Sequence, residues 1–169
     1  VGTALLQLGR IAGCGSVGVV GSPSKAALCK ELGAEAVVVR SREDLWKAVD
    51  RHWPDGFDVA LDANGVTTPR PAFERLRHGG RLVIYGFAEI MPRGVAKPGL
   101  LRLASNYFRV PKFSPLEMTT TNRAVMGFNV VFLFHKPELA DKAIGDLVRW
   151  IGEGKIRKVP VTLFPLEQV

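Results

Sequence analysis

SVGVVGSPSKAALCKELGAEAVVV, residues 16–39, reads as strand, helix, strand. Ser16 to Gly21 is a short apolar run of the length a buried strand needs. Ser22 then offers an N-cap oxygen, and Pro23 occupies the first helical position, where a missing N–H costs nothing. Leu28 and Leu32 carry the helix to Gly33, the residue type expected in a left-handed conformation past a helix end. Ala36 to Val39 is apolar and mostly β-branched, so it extends. Strands that read as continuous apolar runs with a helix between them predict a parallel βαβ unit. Its crossover is right-handed and its sheet is covered on both faces.

The rhythm continues outward from this unit. Upstream, Ala4, Leu5, Leu8, Ile11 and Ala12 recur at helical spacing, and Gly13 and Gly15 end that helix. Downstream, Ser41 with Asp44 approximates a capping box ahead of a helix whose face is Leu45, Val49 and Trp53. Pro54-Asp55-Gly56 is a turn by its chemistry. Phe57 to Leu61 is a strand that ends at Asp62, Ala72 to Arg77 a helix broken by Gly79-Gly80, and Arg81 to Tyr85 the next strand. Residues 87–121 interrupt the alternation, with a short helix near Leu100 to Tyr107. A strand over Val125–Phe134, a helix through Leu139, Ala143, Leu147 and Ile151, and a last strand or extended segment over Lys158–Phe164 follow. The expected class is α/β with a doubly wound parallel sheet. The chain opens on a helix where the pattern calls for a strand, and closes on what reads as the start of another helix. The expectation is therefore a sheet truncated at both ends.

The 169 residues are 47% hydrophobic and 23% charged, ample for a core, which excludes disorder as the main state. The longest apolar run, Met126 to Phe134, has nine residues, against about twenty for a spanning helix. No secretory leader pattern opens the sequence. Two cysteines, Cys14 and Cys29, form no disulfide framework and fit a reducing, cytoplasmic compartment. The net charge of +7 is compatible with nucleic acid, an anionic membrane or a phosphorylated ligand. Residues 92–116 hold Arg93, Lys97, Arg102, Arg109 and Lys112 and no acid.

Open parallel sheets bind ligands beyond the carboxyl ends of their strands, so the residues just after each strand are the candidates. Gly2, at a helix start, would leave backbone N–H groups open to a pyrophosphate, although a lone glycine there is more often a turn or linker residue. About twenty residues on, where an NAD-binding protein places an acid against the ribose, this chain has Ser22, Ser24 and Lys25 instead. Two hydroxyls and a cation favour a 2′-phosphate, although Ser22 as a plain cap and Lys25 as a solvated side chain explain them at least as well. Arg40 ends the next strand on the same edge and brings a forked donor. Asn64-Gly65 and Gly86 follow the next two strands, where a flat ligand needs backbone approach or the chain simply turns. Asp62 reads as a cap or a backbone-positioning residue. His52, His78, His135 and the cysteines show no metal-site spacing, so no metal is expected. Trp46, Trp53, Phe73 and Trp150 read as core.

The ordered set GSPSKAALCKELGAEAVV (from Gly21), GFDVALDANG (from Gly56), GGRLVIYG (from Gly79), NRAVMGFNV (from Asn122) and GKIRKVPVTLFPLEQV (from Gly154) resembles the medium-chain dehydrogenase/reductase superfamily. Within it the chain is most similar to the zinc-free quinone oxidoreductase branch and its vesicle amine transport protein-like members. The resemblance implies that residues 1–169 are part of a Rossmann-type nicotinamide-cofactor domain, without its first strand and without a substrate domain. It implies NADPH, with Ser22 and Lys25 on the 2′-phosphate and the backbone of a strand around Phe132 and Leu133 near the nicotinamide. It implies hydride transfer to a small quinone or enone by the full-length protein, with this chain alone inactive, and a homodimer. Many members carry Tyr where Arg40 stands. The competing reading is a catalytically weak protein that keeps the reductase fold and contacts a partner or an anionic membrane surface through 92–116, peripherally. A methyltransferase-like or nucleic-acid-binding Rossmann domain would explain the charge but not the ordered motifs, so no nucleic-acid partner is expected.

Overall fold

The structure is a computed structural model in which residues 1–91, 107–158, 161 and 163–168 are described. The chain divides into two compact units, Val1–Val49 with Lys136–Val169, and Asp50–His135.

The first unit begins with α1 (Gly2–Ile11), followed by β1 (Val17–Val20), a 3₁₀ turn (Pro23–Lys25), α2 (Ala26–Glu31) and β2 (Ala36–Val39). β1 and β2 pair in parallel with Val20 opposite Val39, as a βαβ connection requires. Gly33 takes φ +114° and ends the α2 region as the sequence predicts. Leu6, Val20, Cys29, Leu32, Ala34 and Val39 form one buried cluster, so the helix and the strand pair share a core. The unit closes with α7 (Pro137–Gly152) and a second 3₁₀ turn (Leu166–Gln168). Buried Gln7 holds the segment after α7: its Oε1 accepts from the Arg157 amide at 2.9 Å and its Nε2 donates to the Arg157 carbonyl at 3.4 Å. Arg157 also meets Glu31 at 2.7 Å.

α3 (Leu45–His52) buries Ala48 and Val49. Its cap is Asp44, whose carboxylate accepts from the Lys47 amide at 2.9 Å; Ser41 lies too far upstream for the capping box read from the sequence. The second unit contains β3 (Phe57–Asp62), α4 (Pro69–Glu74), β4 (Leu76–Ile84), α5 (Pro115–Thr121), β5 (Ala124–Gly127) and α6 (Val130–Leu133). β3, β4 and β5 form a parallel sheet in that order. Phe73, Leu76 and Leu82 are fully buried in this unit. The described strands thus form two parallel sheets, one of two strands and one of three.

Two expectations change. The helix read at Ala72–Arg77 ends at Glu74, and β4 runs on through Gly79-Gly80. The pairing jumps from Phe57–Leu76 to Val59–Arg81, so the glycines mark a bulge and not a break. A Cβ at Gly80 would lie 2.9 Å from the Arg77 carbonyl oxygen, which is why that position is Gly. The long strand read at Val125–Phe134 stops at Gly127. Asn129 then caps α6 by accepting from the Val131 amide at 3.1 Å, turning an apolar run into a helical turn. Of the segment Lys158–Phe164, the described residues 158, 161, 163 and 164 form no strand. The helix expected at Leu100–Tyr107 lies almost wholly outside the described residues, although Tyr107 to Arg109 are helical.

Candidate functional site

The residues picked out by the sequence gather at strand carboxyl ends, one group in each unit. In the first unit β1 leads into Ser22, Ser24 and Lys25, and β2 leads into Arg40. The Arg40 amide donates to the Val20 carbonyl at 3.0 Å, which brings the two strand ends side by side. Ser22 occupies the backbone cap position of the 3₁₀ turn, but its hydroxyl makes no cap hydrogen bond; it pairs with Ser24 Oγ at 3.0 Å. The plain-cap reading of Ser22 is therefore replaced by a hydroxyl pair. Lys25 and Arg40 are exposed. Residues 16–30 contain no acid, so the turn after β1 carries hydroxyls and a cation but no carboxylate. Burial pushes the Cys29 thiol up, against the smaller pull of the nearby Lys25 charge. Gly2 is the first residue of α1, and a Cβ there would meet nothing within 4 Å, so no protein contact demands glycine at that position.

In the second unit Asp62 organises the loop after β3. Its buried carboxylate accepts from the Asn64 amide at 2.9 Å, from the Gly65 amide at 2.8 Å and from the Thr68 hydroxyl. Asn64 Nδ2 donates to Thr68 Oγ1 at 3.2 Å. A buried carboxylate with three donors has its desolvation offset by hydrogen bonds; of the two roles read for Asp62, it is the backbone-positioning one, since the helix that follows is capped at Thr68. Gly65 takes φ +83°. A Cβ there would overlap the Phe87 ring and lie 2.8 Å from the Gly86 carbonyl oxygen, while one at Gly86 would lie 2.9 Å from the Ala63 carbonyl oxygen. The loops after β3 and β4 thus press on each other, and both glycines are accounted for by that approach.

Beyond the carboxyl ends of β4 and β5 opens a cleft of about 700 Å³ lined by Tyr85, Phe87, Met91, Phe128, Phe132 and Leu133 among others. Its wall is mainly apolar, which suits a flat, weakly polar ring. Gly86, Phe132 and Leu133 are brought together here, but Phe132 and Leu133 arrive on α6 and not on a strand, a correction to the expected setting. Burial pushes the Tyr85 phenol up, and the Asp62 charge adds to it, leaving a neutral hydroxyl at the cleft. The sequence reading passed over Tyr85, Phe87, Met91 and Phe128 as site residues. Asn129 ahead of an apolar run was the available signal, since Asn is a strong cap residue.

Among the described residues no group of three His, Cys, Asp or Glu side chains could hold a metal ion. The sequence suggests two small buried or half-buried cysteines; Cys29 is buried, but Cys14 is exposed. Phe73 is core as read, whereas Trp46, Trp53 and Trp150 are only partly buried.

The zinc-binding dehydrogenase family matches residues 1–138. The chain is 27% identical over 169 residues to the synaptic vesicle membrane protein VAT-1 homolog of Mus musculus, covering all of this chain and 41% of that protein. It is 29% identical over 159 residues to prostaglandin reductase 1 of Rattus norvegicus, covering 93% of this chain and 44% of the relative. Among solved structures it resembles the quinone oxidoreductase of Thermus thermophilus, known also in complex with NADPH, with a TM-score of 0.69 and 28% identity over 94% of this chain and 44% of that one. The chain therefore spans well under half the length of the relatives it matches.

Proposed function

Because the chain belongs to the zinc-binding dehydrogenase family, in the zinc-free quinone oxidoreductase branch of the medium-chain dehydrogenases/reductases, we propose that it forms the NADPH-holding part of an oxidoreductase that reduces a quinone or enone. The observation that carries this reading is the edge of β1 and β2. Two paired hydroxyls, Lys25 and Arg40 stand there, with no acid between residues 16 and 30. An acid at this edge would repel a 2′-phosphate; this donor set attracts one. The quinone oxidoreductase that the chain resembles is known with NADPH, which supports the same cofactor here.

When bound, the nicotinamide supplies the hydride. Ser22, Ser24, Lys25 and Arg40 would hold the 2′-phosphate end, and Gly2 would leave first-turn amides of α1 open to the pyrophosphate. Asn64, Gly65 and Gly86 shape the loop edge. Phe132 and Leu133, with the apolar wall of the cleft, would exclude water from the ring. Tyr85, kept protonated, is a hydrogen-bond donor suited to an acceptor's carbonyl oxygen. Residues 1–169 act in this proposal as one cofactor-binding domain, and the quinone or enone is held with the help of the rest of the protein. Association with a second copy is part of the same proposal.

The test is titration of NADPH and of NADH into wild-type protein and Lys25→Ala. The variant is expected to weaken NADPH by roughly 1–3 kcal/mol and to leave NADH nearly unchanged, because a charge-assisted contact is lost only with the phosphate. Equal losses for both cofactors would remove Lys25 from the phosphate.

A second reading draws on residues 107–116, where exposed aromatics stand beside Arg109 and Lys112. It is peripheral contact with an anionic membrane surface, and the vesicle membrane proteins among the relatives support it. No helix among the described residues is long and apolar enough to cross a membrane. Residues 92–106 of the basic stretch lie outside the described residues.

A further inference from the structure

We infer that Tyr107, Phe108, Arg109, Lys112 and Leu116 form a docking face for an anionic lipid bilayer, one that lies in the headgroup region without spanning it. The inference rests on the peripheral-contact reading and gives it a site.

The surface is conspicuous because the segment around it is anchored. Phe113 turns inward and meets the buried Phe73 ring at 5.1 Å. Arg70 lies over both rings, 5.8 Å from the Phe73 centroid and 6.0 Å from that of Phe113. Its guanidinium also grips Glu117 with two hydrogen bonds of 2.8 and 2.6 Å. The chain is thus fixed at Phe113 and again at Glu117. Even so, the two adjacent aromatics stay outside: Tyr107 is 74% and Phe108 84% exposed, and Leu116 is 73% exposed. Their rings stand edge to face at 6.0 Å, so they form one apolar knob. Burial of either ring is worth a few kcal/mol, so a pair left in water beside a working anchor calls for a partner.

Charge selects the partner. Residues 92–116 carry five cations and no acid, and the first acid after them, Glu117, is neutralised by Arg70. Arg109 and Lys112 are exposed just ahead of the Phe113 anchor. The clefts at the two ends of the β3–β5 sheet do not include these residues. Aromatic side chains flanked by cations suit a fluid interface, where rings settle at the headgroup level and cations meet lipid phosphates.

The experiment is co-sedimentation of the 169-residue chain with phosphatidylcholine vesicles, with and without phosphatidylserine. Binding is expected only with phosphatidylserine, and is expected to vanish at about 1 M salt, where the Debye length falls to about 3 Å. Arg109→Gln/Lys112→Gln should lower partitioning about twentyfold to thirtyfold, at roughly fivefold for each cation. Tyr107→Ser/Phe108→Ser should lower it by at least about tenfold. Lys30→Gln/Lys47→Gln removes the same charge from exposed positions elsewhere and should change little. All six positions are exposed, and an unchanged melting temperature checks that the fold survives. Acidic-vesicle binding that ignores the Tyr107/Phe108 pair, or that falls equally with the Lys30/Lys47 pair, overturns this site while peripheral contact stands. No binding to acidic vesicles at low salt overturns both.

Discussion

Replacing Gly65 by Ala tests whether the glycines at the loop edge serve the protein or a ligand. Gly65 has φ +83°, a region that costs an L-residue with a Cβ about 1–2 kcal/mol. The added methyl would also overlap the Phe87 ring and lie 2.8 Å from the Gly86 carbonyl oxygen. Phe87 is 43% exposed and can swing away; the Gly86 carbonyl is backbone and cannot move without shifting the loop after β4. Overpacking of that kind costs about 1–3 kcal/mol. The expected total is about 3 kcal/mol, which lowers the melting temperature by roughly 6–12 °C for a chain of this size. Gly79 is the matched control. It has φ +82° but nothing within 4 Å of a Cβ, so Gly79→Ala carries the backbone cost alone, about 1–2 kcal/mol. Thermal unfolding followed by circular dichroism reads both variants. Equal losses would refute the packing argument. A Gly65→Ala protein that melts like wild type but binds NADPH poorly would show that the glycine is there for the cofactor.

Elemental analysis of the purified protein is expected to show no stoichiometric zinc, since Cys14, Cys29 and the three histidines reach no common site among the described residues; one zinc per chain would refute this. Asp50 is held below the usual carboxylate range by its hydrogen bond from Arg75, and Glu117 by that from Arg70. Groups depressed in the folded state contribute stability that is present above about pH 4 and lost as the pH falls through their folded values. The urea midpoint should therefore fall on the acid side, and Arg70→Met should shrink that fall; an acid limb unchanged by Arg70→Met would sink the assignment. Tyr85 is displaced the other way, so its contribution is present below about pH 10 and lost above it. Gln7→Ala should cost about 1–3 kcal/mol and speed amide exchange over residues 153–158, because Gln7 holds Arg157 by both its amide N–H and its carbonyl. Exchange as slow as in wild type would show that the segment is held by other contacts.

Local chemistry alone determined the parallel βαβ unit. Ser22-Pro23 at a helix start, Gly33 at its end and the apolar run Ala36–Val39 each carry their own conformational preference, and the structure follows them. The acid-free stretch 16–30 and the donors after β1 were likewise legible, because residue type sets charge before any folding. Other features needed tertiary structure because they depend on what lies opposite. Gly79-Gly80 reads as a helix breaker until β3 pairs across it and makes it a bulge. Val130 to Leu133 reads as strand until the Asn129 side chain turns back on the Val131 amide. Gly65 and Gly86 look alike as ligand-approach or turn glycines in the sequence; only the structure shows two loops occupying the space that either Cβ would need. The apolar cleft gathers Tyr85, Phe87 and Met91 from one strand end and Phe128, Phe132 and Leu133 from another, more than 35 residues apart in the chain. No local preference encodes such a meeting. It arises because parallel pairing aligns the carboxyl ends of β4 and β5 and lets the residues that follow each strand close around the same space.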